Sequence, residues 1–348
     1  MHDHLVLRRD QRPAISFRIG MGSLVVLAAA LAGTLALLAV GVGSGDYPLS
    51  PIDVVAAIVG QGDERHQFVV WTLRLPRLLS AVLVGAAFAV SGAIFQSLTR
   101  NPLVAPDIIG INGGASVAAV AVIVLGGPSA LIAPAAFVGG LVAAIAVYLL
   151  AWRGGVGRMR IVLIGIGVAA LTTAGVDYLL TRGEIVEVQR ATIWLVGSLY
   201  GSGWSDVGLM AGTLAVLLPA TFLLARGLNM LQLGDDAAAG LGVQTERTRL
   251  ALLLVGVGLA AVSVTVAGPI GFVAFIAPHL ARRLARASGS GIIPAAAAIG
   301  ALLLILADIV ARRVIDPAEI PVGILTVLLG APYFLWLLAR TSRSGGGL

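Results

Sequence analysis

The stretch RLPRLLSAVLVGAAFAVSGAIFQSLTR, Arg74 to Arg100, decides the fold. Between Arg77 and Arg100 no ionisable side chain occurs, and the apolar run Leu78 to Leu98 has the length that a hydrocarbon core of about 30 Å asks of a helix. Backbone polar groups at that depth must pair within their own segment, so the run predicts a transmembrane helix with an arginine-flanked proline entrance. Working outward, similar runs recur between charged, proline or glycine breaks. They predict about ten spans: Ile19 to Val42, Leu78 to Leu98, Ile108 to Leu125, Leu131 to Trp152, Ile161 to Leu180, Val207 to Leu224, Leu250 to Val266, Ile270 to Leu284, Ile292 to Val310 and Val322 to Leu338. The seventh and eighth merge around Gly268-Pro269. The first has the arginine-bearing front of a signal peptide but exceeds the 7 to 15 apolar residues of a cleavable core, which predicts a retained helix.

Composition agrees. Of 348 residues, 58% are hydrophobic and 11% charged, against about 25% charged in soluble domains. The chain reads as a single all-α polytopic membrane domain over 1–348, with an N-terminal tail at 1–18 and a C-terminal tail at 341–348. Cysteine is absent and the four histidines are scattered, which predicts no metal centre. All 23 basic residues are arginine. Their excess in a polytopic chain reports orientation and is no sign of a nucleic-acid partner. Placing both termini in the cytoplasm puts 16 of the 23 arginines inside, and the reverse would invert the usual bias. On that count Arg74, Arg77, Arg312 and Arg313 fall outside. Ten spans also admit two sets of five, and an odd number makes the second set inverted. Glycines near Gly110 and Gly268 interrupt the third and eighth spans at matching places, although small residues equally serve close helix packing.

Without lysine there is no P-loop, and neither His-Glu-x-x-His nor Gly-x-Ser-x-Gly occurs. Asp177 and Asp308 lie near the outer ends of their spans. They suit interfacial partners of Arg182 and Arg312 better than coupling-ion sites. With no clear midplane ionisable group, energy from another subunit is favoured over an ion-coupled carrier. Residues 231–249, LQLGDDAAAGLGVQTERTR, are too polar to cross. Gly234 breaks a helix, Asp235 and Asp236 favour the next N-terminus, and Gly240 with Gly242 ends it. Such a helix could seat in a partner's groove or be an ordinary interfacial loop helix.

Seven motifs in order carry a resemblance. They are Arg74-Leu-Pro-Arg77, Val90-Ser-Gly-Ala-Ile-Phe-Gln96, Asn101-Pro-Leu with Pro106-Asp107 and Gly110, Gly234-Asp-Asp with Leu241-Gly-Val, Gly268-Pro-Ile-Gly-Phe with Ala277-Pro-His279, Ala307-Asp-Ile-Val-Ala-Arg312, and Ile320-Pro-Val-Gly with Leu329-Gly-Ala-Pro332. Together they resemble the iron-siderophore and cobalamin class of ABC importer permeases, the type II importer fold, nearly end to end. The wording is most similar to ferric catecholate permeases of the enterobactin type, with cobalamin and haem as alternative substrates on the same scaffold.

The resemblance implies a subunit of the bacterial cytoplasmic (inner) membrane that pairs with a copy or a paralogue. It holds no cofactor, and ATP is bound and hydrolysed by two partner ATPase subunits below, while a substrate-binding protein delivers a ferric siderophore from above. It also implies docking of acidic residues of that protein on Arg74, Arg77 and Arg312. The ATPase would couple through Gly234, Asp235, Asp236 and Gly240, with His279 and Arg282 alongside. Thr172, Thr173 and Asp177 on the fifth span would line the path.

Overall fold

The computed structural model describes residues 4–9, 15–45, 47–152, 158–286, 289–315 and 319–344. Arg12, Arg153 and the last residues of the 341–348 tail lie outside them. Within the N-terminal tail, strands β1 (His4–Arg9) and β2 (Ile15–Gly20) pair antiparallel, His4 opposite Gly20, where only a tail was expected. Among the described residues, the elements that follow are all helices. Helix α1 (Met21–Gly43) is followed by two short helices, α2 (Pro51–Ile58) and α3 (Glu64–Phe68). A wide turn over Val69–Arg74 then feeds α4 (Leu75–Thr99).

Next come α5 (Ile111–Val124), α6 (Ile132–Ala151) and α7 (Arg158–Leu180). Helices α8 (Ile185–Val196), α9 (Trp204–Leu223), α10 (Ala225–Leu231) and α11 (Asp235–Gly240) lead to α12 (Thr245–Ala267). The chain closes with α13 (Val273–Ala285), α14 (Ile293–Ala311) and α15 (Val322–Ser344).

Each of the ten expected runs contains a helix, and among the described residues eight helices are long and apolar enough to cross a membrane. The third and eighth runs fall short. Helix α5 has 14 residues and α13 has 13, roughly 20 Å each at the α-helical rise, against a core of about 30 Å. Irregular backbone completes both. A tight turn over Pro106–Ile109 and left-handed Gly110 (φ 76°) precede α5, and Gly268 (φ 70°) and Phe272 (φ 66°) bracket the segment before α13. The two short helices stand five spans apart, as a duplicated five-helix unit requires.

Helix α4 is the centre of the bundle. The most apolar stretch of Glu64–Thr99 is 78% buried, against 11% for Trp204–Leu223 and 17% for Met159–Leu180, which ranks α9 and α7 as peripheral. Small residues let the backbones meet. A Cβ on Gly85 of α4 would run into the carbonyl oxygen of Gly300 on α14, and the converse holds. Gly114 of α5 and Gly139 of α6 form a second reciprocal pair. In lipid, where apolar surface supplies no net drive between helices, such close approach is what packs them.

Candidate docking and coupling sites

Helix α4, roughly 37 Å long by its 25 residues, separates two ends of the bundle. The upper end holds Arg74 and the lower end Arg100. The upper entrance to α4 is shaped by Pro76, which has no N–H to give to Thr72. The helix widens there, and the Leu75 N–H donates to Val70 rather than to Trp71. The Trp71 carbonyl, released from the helix, accepts the indole N–H of Trp204 at 2.8 Å, and the Trp71 indole donates to Ala57 at 3.0 Å. The proline of the Arg-Leu-Pro-Arg motif thus fastens α9 and α2 to the top of α4.

Arg74 emerges from this turn buried. Its guanidinium donates to the carbonyls of Val42 and Tyr47, both at 2.6 Å. Val42 lies in the last turn of α1, whose final carbonyls have no helical partner, so the side chain caps that helix. The arginine expected as an outward docking charge is thus mostly buried and ties α1 to the top of α4. Arg77 is likewise tied down. Its Nε and Nη2 each lie 3.0 Å from Oδ1 of Asp308, and Nη1 donates to Glu319 at 2.8 Å. Asp308 is fully buried and also holds Arg312, Nε to Oδ2 at 3.3 Å, which matches the pairing expected for Asp308. Arg182, expected beside Asp177, instead lies over the Tyr178 ring at 5.3 Å.

These side chains line one open cavity of about 1070 Å³ at the upper end, walled by Arg74, Arg77, Arg312, Arg313, Glu319, Tyr47 and Tyr200. Residues far apart in sequence thus converge, the three expected arginines among them. Arg313 is exposed there. Sequence reasoning placed it outside but did not single it out, and it missed Glu319.

At the lower end, Gly234 (φ 127°) makes the break that a side chain would strain, and α11 follows with Asp235 and Asp236 in its first turn. Gly240 ends the helix and Gly242 (φ 80°) turns the chain away. Asp235 is no free carboxylate. Its Oδ1 lies 2.9 Å from the guanidinium of buried Arg249 on α12, which also pairs with Glu246. Arg100, closing α4 in a left-handed conformation, donates to the Leu231 carbonyl of α10. Asn229 of α10 grips Ser290 through two hydrogen bonds, at 2.9 and 2.7 Å. Helix α12 begins at Thr245, five residues before the expected span, because this polar first turn is held by Arg249 rather than by lipid.

His279 and Arg282, expected beside α11, engage other elements. Arg282 donates to the Gln96 side-chain carbonyl, and the Gln96 amide donates to Phe275 at 3.2 Å, which binds α13 to the lower part of α4. His279 stacks on Phe275 (6.5 Å) and meets Tyr333 of α15 edge-on (5.8 Å). On α7, the hydroxyls of Thr172 and Thr173 both donate to Ala169 at 2.9 Å. Thr172 packs on Gly113 of α5, while Gly167, Ala170, Thr173 and Asp177 lie at helical spacing on an exposed face that also carries Leu163 and Ile166.

The FecCD transport family model matches residues 24–340 of this frame. The chain belongs to the FecCD transport family. It is 44% identical over 304 residues to the ferric enterobactin transport system permease FepG of Escherichia coli, covering 87% of this chain and 92% of the relative. It is 41% identical over 291 residues to the hemin transport system permease HmuU of Yersinia pestis, covering 80% and 85%. A solved metal-chelate type ABC transporter in an inward-facing conformation superposes with a TM-score of 0.82 at 31% identity, covering 91% of this chain and 99% of that one. This FecCD chain is therefore a multi-pass permease subunit of an ABC transporter in the cell's inner membrane, with the all-helical spanning architecture expected.

Proposed function

We propose that this permease imports a ferric siderophore, delivered by a substrate-binding protein at the upper end and driven by ATPase subunits bound at the lower. The observation that carries the reading is the separation of two built sites along α4: an arginine-walled cavity above and the braced α11 segment below. The upper end faces outward and both termini face the cytoplasm, as the arginine count favours. Acidic side chains of the binding protein meet Arg77, Arg312 and Arg313 there. Exposed ion pairs contribute about 0 to 1 kcal/mol each and are screened by salt, so the cavity sets register and encounter rate more than affinity.

ATP is hydrolysed on the partner subunits. Their movement passes through Asp235, Asp236 and Gly240 into Arg249 and hence α12, and through Leu231 and Arg100 into α4. The Gln96–Arg282 contact carries the same displacement into α13 and His279. A second copy or a paralogue completes the assembly, with the Thr172, Thr173 and Asp177 face of α7 toward the path. Relatives that carry ferric enterobactin, other ferric chelates and hemin share the scaffold. A catecholate chelate is the first reading and hemin the second. Uptake of iron-55 ferric enterobactin into proteoliposomes holding the permease pair and its ATPases, with the binding protein outside, tests it. The expected result is accumulation that needs internal ATP and ignores a protonophore; accumulation of hemin alone would select the second reading.

A further inference from the structure

Arg77 presents two edges, and they are occupied in different ways. The Nε and Nη2 edge faces Asp308, which has no exposed surface and also holds Arg312. Asp308 cannot leave without abandoning two largely enclosed cations, Arg77 and Arg312. The Nη1 edge faces Glu319, whose side chain keeps 40% of its surface exposed and stands on the segment between α14 and α15. Glu319 lines the open cavity beside Arg312 and Arg313, and with Arg77 only 11% exposed it occupies that edge of the guanidinium from the cavity side. Among the described residues, and leaving Arg74 aside, Arg77, Arg312 and Arg313 share the cavity and its floor with Asp308 and Glu319, so a positive excess remains there with Glu319 in place. A half-exposed pair of this kind shifts an equilibrium by only about two- to fivefold.

We propose that Glu319 is a built-in occupant of the docking cavity, which an acidic side chain of the binding protein displaces from Arg77 while Asp308 keeps Arg77 and Arg312 in position. One carboxylate replaces another on the same Nη1 group, so the arginine is never left unpaired during docking. This rests on the docking reading above. Glu319 weakens the resting encounter and releases the partner when it returns, whereas Asp308 is a positioning residue that stays.

The test is titration of the binding protein onto the complete permease–ATPase complex in nanodiscs, for the wild type and for Glu319→Gln, Arg313→Glu and Glu64→Gln. Glu64 is exposed near the same end and controls for the loss of any negative charge. Glu319→Gln is expected to tighten binding about two- to fivefold with a steeper salt dependence, while Glu64→Gln changes it little. If Arg313→Glu weakens binding but Glu319→Gln leaves it unchanged or weakens it, the occupant role is wrong and docking stands. Equal tightening by Glu64→Gln overturns it too, since charge alone then suffices. If neither Arg313→Glu nor a further Arg77→Gln alters binding, the docking reading itself fails and the proposal with it.

Discussion

Asp308 shows how one buried carboxylate decides what its neighbours can do. It has no exposed surface and compensates Arg77 from α4 and Arg312 from its own helix end. Removing one member of such a buried set leaves uncompensated charge, at a cost of about 3–5 kcal/mol. Asp308→Asn should therefore lower the thermal midpoint of the purified permease by several degrees, whereas Glu319→Gln should shift it by a degree or less. A matched shift in both would remove the distinction between hub and occupant.

Among the elements, the close contact of α4 with α14 depends on glycine. Gly300→Ala places a methyl against the Gly85 backbone, and overpacking of this kind costs about 1–3 kcal/mol; folded yield and thermal midpoint should both fall. A substitution at Gly208 of α9, where nothing lies within reach of a Cβ, should be neutral. At the lower end, Asp235→Ala should loosen α11 from α12 by removing the contact that ties it to buried Arg249, which keeps Glu246. Stimulation of the ATPase by loaded binding protein should drop several-fold, while the permease still assembles.

Much of this layer was legible in the sequence. Long uncharged runs must be helices in lipid, and Gly234 followed by two aspartates marks a helix start wherever it occurs. The shortness of α5 and α13 was only hinted at by glycines, since left-handed Phe272 carries no local signal. The wide turn before Pro76 and the N-terminal hairpin were equally silent. The links that define the sites were out of reach for another reason. Arg77 meets Asp308 and Glu319 across more than 200 residues, and Gln96 meets Arg282 across 186. Charge type alone could not reveal that Arg74 is mostly buried and donates to two carbonyls.

At the scale of the whole molecule, the frame is asymmetric in burial. Helices α4 and α14 form the interior, whereas α7 and α9 expose most of their length in the single chain. On α7 the exposed face carries Gly167, Ala170, Thr173 and Asp177 beside Leu163 and Ile166, a mixture of small, polar and apolar side chains that suits a face turned to a second permease and the path between them. The absence of cysteine makes the arrangement directly accessible to single-cysteine labelling. Thr173→Cys should react with a hydrophilic thiol reagent and cross-link between permease copies, and Val216→Cys, on the exposed apolar surface of α9, should do neither.

The central claim is ATP-driven import of a ferric chelate from a docked binding protein. Its most direct measurement is iron-55 chelate uptake into proteoliposomes containing the complete complex. Wild type should accumulate the chelate only with internal ATP and external binding protein, and Arg77→Glu with Arg312→Glu should slow the initial rate at least several-fold at low salt. Uptake that proceeds without ATP, collapses with a protonophore, or is unaffected by both charge reversals would contradict it.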